Sequence, residues 1–180
     1  IKLLLTFDAL HKVLNLFIGT FLISYIMQTS LNEILSVSFY QMFYYAALVT
    51  GFIALGNWVK QKNKSLVFAF HIIPNVALLL SVIILKGEFS QYVIPLGFLS
   101  GLGAAFYWAP MHNMISEKVS PKNMTKFSGY KAAIGGSVKI IAPILLGLFI
   151  TAGSYVEMAW AMLAVCVVEL ILMFFLKPSL

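Results

Sequence analysis

Three ionisable side chains sit inside long apolar runs of the sequence: His71, Lys139 and Glu169. Such groups can carry protons, bind a charged solute or pair with one another. At the centre of a lipid-spanning helix each costs about 2.5–3.5 kcal/mol, so they are functional candidates by default. Lys139 belongs to a stripe Ser128, Lys131, Gly135, Lys139. Its spacing of three to four residues makes a small, polar helix face. Lys139 has three readings: a substrate or coupling site, a structural ion pair, or a lysine whose head snorkels to the membrane surface. His71 and Glu169 read more readily as a buried pair than as a proton relay.

Uncharged polar residues form a second set. Asn15 precedes a stripe of Thr20, Ser24 and Gln28, with Tyr25 beside it. Further along stand Gln41, Tyr44 and Tyr45, then Tyr107, Trp108, His112 and Asn113. Converging amides and aromatic rings suit a cavity that binds an organic solute. The plainer reading is hydrogen bonding across helices and anchoring at the interface. His112 falls at the inner end of its segment, where a gate or a plain loop residue fits as well as a proton carrier.

Enzymatic signatures are missing. The sequence holds no Gly-x-Ser-x-Gly elbow, no His-Glu-x-x-His and no P-loop. The single cysteine, Cys166, lies in an apolar run, and no cluster of Cys and His has metal-ligand spacing. Neither catalysis, a metal nor a cofactor is expected.

The elements that hold these residues follow from composition. Of 180 residues, 61% are hydrophobic and 10% charged, and mean hydropathy is +0.96. A soluble domain carries about 25% charged residues, so the solvent here is lipid. Spans need roughly 20 apolar residues, and six segments qualify: about 13–30, 34–59, 66–85, 92–115, 127–150 and 158–176. They are too long, and alternate too little, for barrel strands. The expected fold is an all-α membrane protein, residues 1–180 forming one six-helix domain. The twelve residues before the first span are not a removable signal peptide, because the apolar run beyond Lys12 is too long. They form an interfacial helix or a lead into the span. The chain starts at Ile1 and reads as part of something longer.

All 12 basic residues are lysine, against 6 acids, for a net charge of +6. With the N-terminus inside, Lys2, Lys12, Lys60, Lys62, Lys64, Lys118, Lys122, Lys126, Lys131 and Lys177 fall on the inner side. Only Lys86 falls outside, and Lys139 lies within the fifth span. This is the positive-inside pattern, with both termini cytoplasmic. It accounts for the basic charge without nucleic acid as a partner. Asp8 precedes the first span and Glu33 follows it, so no acid is expected within that helix.

The stretch from the fourth span through the fifth is the most specific. Glu117-Lys118-Val119-Ser120-Pro121 is an acidic-x-hydrophobic-x-proline loop, Gly129 opens the next helix, and Ala142-Pro143-Ile144-Leu145-Leu146-Gly147 follows. This resembles the major facilitator superfamily of transporters, in which a Gly-Pro-x-x-Gly-Gly element occupies the outer half of the fifth helix. The family also carries Gly-x-Leu-x-Asp-Arg-x-Gly-Arg-Lys between helices two and three. The matching positions include Gly56, Lys60 and Lys64, with a charge reversal at Lys60 where the family has its acid. The resemblance implies the N-terminal six-helix half of a twelve-helix transporter, built as a three-plus-three repeat. It also implies that the first and fourth helices line a cavity, flanked by the second and fifth. Gly97, Gly101 and Gly103 would let the fourth helix approach a neighbour. Pro143 would bend the fifth.

The leading functional expectation is therefore a secondary transporter in a bacterial cell membrane. It would move a small organic solute by rocking against a second six-helix bundle, either a C-terminal half or another copy. Two alternatives stand beside it: a six-helix binding subunit like those of energy-coupling-factor vitamin transporters, and a membrane assembly protein without a solute.

Overall fold

A computed structural model describes residues 2–61 and 64–175. Every regular element among them is helical. The first helix begins at Lys2, not near Val13. α1 (Lys2–Leu16) runs through a five-residue π turn, Phe17–Phe21, into α2 (Leu22–Thr29). α3 spans Glu33–Gln61, α4 Lys64–Ala69 and α5 Ile72–Leu85. A 3-10 helix, Lys86–Tyr92, leads into α6 (Val93–Lys118). α7 (Pro121–Ala152) and α8 (Tyr155–Phe174) complete the chain.

Five helical stretches are long and apolar enough to cross a membrane: Lys2–Thr29, Glu33–Gly56, Leu66–Lys118, Pro121–Ala152 and Tyr155–Met173. Six were expected. The difference lies at residues 86–92, where the expected polar turn is itself helical and leaves a stretch of 53 residues. Within it, α5 and α6 pack against each other, and Lys86 adopts a left-handed φ of 46° just before Gly87.

The early start of α1 has a packing cause. Leu4, Phe7, His11 and Leu14 recur at three- and four-residue intervals, and all are buried. That face continues the core of the span, so the first twelve residues lead into it. Leu4 and Phe7 pack with Phe68, Tyr107, Met111 and Phe127 near one end of the bundle. Leu14, Phe17 and Leu22 join Leu78, Leu79 and Met162 in a larger core beyond.

The most extensive helix contact is α3 on α6. Gly97 and Gly101 make it possible. A Cβ at Gly97 would strike the carbonyl of Tyr40, and one at Gly101 would strike that of Tyr44 and lie 2.8 Å from Ala47 Cβ. Close backbone approach through small residues is how helices gain van der Waals contact in lipid.

α4 and α5 are separated for a different reason. Pro74 lacks the N–H that would bond the carbonyl of Phe70, and its ring would collide with that carbonyl in a continuous helix. The chain turns tighter instead: His71 N–H donates to the Phe68 carbonyl at 3.2 Å, and Ile73 N–H to that of Phe70 at 3.3 Å. α8 starts three residues before the expected Met158. Ser154 and Glu157 form a reciprocal capping box there, each side chain accepting from the other's backbone N–H at 3.2 Å.

Candidate functional site

The polar residues of the first span leave it on two faces, and each face builds a separate centre. On one face stand Asp8, Lys12, Asn15 and, through the π turn, Gly19 and Thr20. The π turn carries the Leu22 N–H to the Phe17 carbonyl, five residues back. Its wider winding places Gly19 and Thr20 at the rim of a cavity of about 310 Å3. Such turns are frequent at functional sites.

Four spans line this cavity. α1 gives Lys12 and Asn15, α3 gives Tyr40, Gln41 and Tyr44, α6 gives Ser100 and α7 gives Lys139. The structure therefore brings together six of the expected candidates: Asn15, Thr20, Gln41, Tyr44, Tyr45 and Lys139. Lys12, Tyr40 and Ser100 join them without having been singled out. Tyr40 is 2% exposed and Ser100 3%; their hydroxyls lie close to each other, yet neither makes a well-formed hydrogen bond among the described residues. A buried hydroxyl without a partner is costly in an apolar surround, and both line a cavity where a polar guest would satisfy them.

A second hollow of about 460 Å3 adjoins Lys12 and Lys139 and adds Ser128, Lys131 and Gly135. It contains the whole expected stripe of α7. A Cβ at Gly135 would lie 3.1 Å from Lys12 Cε, so the glycine lets the Lys12 side chain cross α7. Asp8, expected outside the span, is 1% exposed within α1. It pairs with Lys12 one turn along and with Lys131 of α7 at 3.4 Å. Lys131 also lies 5.5 Å from the centre of the Trp108 ring. Two lysines assigned to the inner surface by counting thus belong to the interior. Lys139 itself has no hydrogen bond or ion pair among the described residues, and its side chain is exposed on the open side of α7.

The other face of α1 carries His11 into a closed cluster. His71, placed by the turn before Pro74, directs Nδ1 at the Phe68 carbonyl and Nε2 at Glu169 Oε2, 3.1 Å away. A nitrogen facing a carbonyl must donate, so the second contact needs one more proton, shared between ring and carboxyl. His11 Nδ1 lies 3.7 Å from Glu169 Oε1, beyond hydrogen-bond reach. Its ring stacks on Tyr107 with centroids 3.3 Å apart. The expected His71–Glu169 pair is thus formed, with His11 as an unforeseen third member. The three ligand atoms lie within 4.8 Å of one another, and all three residues are buried. Two imidazoles and a carboxylate are a donor set that suits a first-row transition metal. His71 and Glu169 are 98 residues apart in sequence, so no local spacing announced the set.

The remaining candidates lie elsewhere. Gln28 donates to the Tyr155 hydroxyl at 3.3 Å, and Tyr25 packs on Phe89 and Tyr155; both border a hollow beside Gly153 and Ser154. Ser24 donates to the Thr20 carbonyl at 3.3 Å. Trp108 packs edge-on against Tyr107 and stacks with the exposed His112, 5.7 Å away. Gly56, Gly129 and Gly147 have open space where a Cβ would go. Pro143 is half-buried inside α7. Lys60 is the last residue but one of α3 and Lys64 opens α4, but their side chains lie outside the described residues.

Comparison with known proteins adds the family. The model for the Major Facilitator Superfamily matches residues 13–179. A Geobacillus stearothermophilus protein named "Uncharacterized protein in sodM 3'region" is 28% identical over 100 residues, covering 56% of this chain and 47% of that protein. "Uncharacterized protein YqgE" of Bacillus subtilis (strain 168) is 23% identical over 148 residues, covering 82% of this chain and 34% of that protein. The chain thus spans about half the length of one relative and about a third of the other. No solved structure matches it.

Proposed function

The chain belongs to the Major Facilitator Superfamily, and from that premise we propose that it forms the N-terminal half of a secondary transporter for a small organic solute. It is an integral membrane protein of a transporter family, not an enzyme family. In this reading α5 and α6 are separate spans, which makes six, and both ends of the half face the cytoplasm of a bacterial cell. Lys60, Lys62, Lys64, Lys118, Lys122 and Lys126 support that orientation even with Lys12 and Lys131 removed from the count.

The observation that carries the proposal is the cavity of about 310 Å3 between the first, second, fourth and fifth spans. Its buried Tyr40 and Ser100 hydroxyls lack partners, and its Lys139 amine faces the open side. Lys139 is the pathway residue in this account, with Asn15, Gln41 and Tyr44 supplying amide and aromatic contacts. A second bundle would cover the cavity, and rocking between the two would expose it to each side in turn. Ile140, Ile144 and Leu148 of α7 are exposed apolar side chains and suit lipid or that bundle.

Alternating access can be tested without knowing the solute. In the full-length protein, with Cys166 replaced by alanine and other cysteines removed, Gln41→Cys should react with a membrane-impermeant maleimide added from either face. Labelling from one face alone, or from neither, contradicts the proposal.

A further inference from the structure

We infer that the solute held in this cavity is a small organic anion, a carboxylate or a phosphate monoester, gripped between Lys12 and Lys139. The inference rests on the transporter reading and narrows its substrate class.

Charge is the first argument. Lys12 and Lys139 line the central cavity, and Lys131 joins them in the hollow beside it. Against these three lysines stands one carboxylate, Asp8, which pairs with Lys12 and Lys131. No carboxylate lines either space among the described residues. Glu169, the other buried acid, is turned to His71 and His11. The site therefore carries an excess of two positive charges within a membrane-spanning bundle. Uncompensated charge at that depth is costly, and a solute anion supplies the compensation when the cavity closes over it.

Hydrogen-bonding capacity is the second argument. A lysine amine has three donors and no acceptor, whereas an ionised carboxylate or phosphate only accepts. The Tyr40 and Ser100 hydroxyls, buried and without partners, can both donate. Asn15 and Gln41 add amide N–H groups. A donor-rich, positive wall fits an acceptor-only guest and repels a cation. The rings of Tyr44 and Tyr45 and the side chain of Leu16 supply contact for the organic body.

The Asp8 pairs give the site a resting state. Asp8 holds Lys12 and Lys131, while Lys139 has no partner among the described residues. An arriving anion would engage Lys139 first and then compete with Asp8 for Lys12. Because Lys12 is on α1 and Lys131 on α7, that competition would alter the contact between two cavity-lining helices.

The test uses the full-length protein in detergent and reads its melting temperature with four separate panels. These are mono- and dicarboxylates such as succinate, phosphate monoesters such as glycerol 3-phosphate, the neutral solutes glycerol and glucose, and choline as a cation. Binding to the folded state raises Tm by mass action. At least one anion should raise it by about 2–4 °C at saturation. Lys139→Gln, which removes no ion pair, should abolish the shift, and Lys86→Gln, away from the cavity, should keep it. The carboxylate and phosphate arms decide between the two anion chemistries. The inference is overturned if no anion shifts a folded protein, if only neutral or cationic solutes do, or if Lys139→Gln leaves an anion shift intact. The last result also follows if Lys139 is neutralised by an acid of the second bundle. Sealed proteoliposomes separate the two readings. Lys139-dependent anion binding without flux keeps the site and sinks transport. Flux of a neutral solute, unchanged in Lys139→Gln, keeps transport and sinks the anion.

Discussion

Asp8, Lys12 and Asn15 leave one face of α1 and His11 leaves another, and the two faces meet different surroundings. His11, His71 and Glu169 are 4%, 0% and 0% exposed, and Tyr107 and Phe68 close around them. That cluster is enclosed around the His71–Glu169 contact, although His11 Nδ1, Glu169 Oε1 and the Tyr107 hydroxyl have no hydrogen-bond partner among the described residues. The lysine side is open, carries more charge than it neutralises, and leaves buried hydroxyls without partners. One helix thus supports an enclosed polar centre and another that borders an open cavity. Placing polar groups in lipid is not by itself a sign of transport; the distinction lies in whether they are enclosed against one another or border an open cavity with unbalanced charge.

Substitutions should separate the two regions. The largest effect on stability is expected at the closed cluster. Glu169→Leu removes the partner of His71 and the carboxyl facing His11, and should cost about 3–5 kcal/mol, the scale of a broken buried pair. Thermal melting in detergent checks this, and a loss below about 1 kcal/mol would mean the cluster does not hold the helices. Next comes the α3–α6 contact, which positions Tyr40 and Ser100 across the cavity. Gly101→Val pushes side-chain atoms into the Tyr44 carbonyl and Ala47 and should cost about 1–3 kcal/mol by overpacking. It should also weaken solute binding, because the two hydroxyls move apart. The smallest change in stability belongs to the cavity. Tyr40→Phe deletes a hydroxyl that lies near Ser100 but makes no well-formed hydrogen bond among the described residues, so melting should stay within about 0.5 kcal/mol. Solute affinity should fall about 5–10-fold, the worth of one hydrogen bond. A Tyr40→Phe protein that melts markedly lower would place that hydroxyl in the structural network and blur the comparison.

Much of this arrangement was legible in the sequence, and the failures have physical causes. Hydropathy found the long apolar helices, five of which can cross a membrane where six were expected, because lipid imposes length and apolarity directly. Lys139 stood out because its charge interrupts an apolar run. Gly97 and Gly101 were readable as a contact face, though not their partners, Tyr40 and Tyr44. The start of the first span was set too late, and Asp8 and Lys12 were placed outside it, because Asp8, His11 and Lys12 lower local hydropathy and an early lysine fits the inside surface equally well. The periodicity of Leu4, Phe7, His11 and Leu14 carried the correction. Pro74 similarly marked the break that delivers His71, because it cannot donate to the Phe70 carbonyl four residues before it. Ser154-Tyr155-Val156-Glu157 matched a capping box and would have moved the start of α8. Tyr40 and Ser100 left no such trace. A lone tyrosine and serine in apolar runs look like any others until helix packing strips their partners. The same holds for His11, whose meeting with Glu169 depends on α1, α5 and α8 converging.

The central claim is that Lys139 belongs to the solute pathway and not to the scaffold. Its most direct test is solute flux by the full-length protein in sealed vesicles, compared with a Lys139→Ala variant inserted at equal amount. The account predicts loss of flux by about 100-fold or more, the scale expected when a charged contact worth about 3 kcal/mol is removed. Melting should be unchanged, because Lys139 has no partner to lose among the described residues. Normal flux in that variant would contradict it.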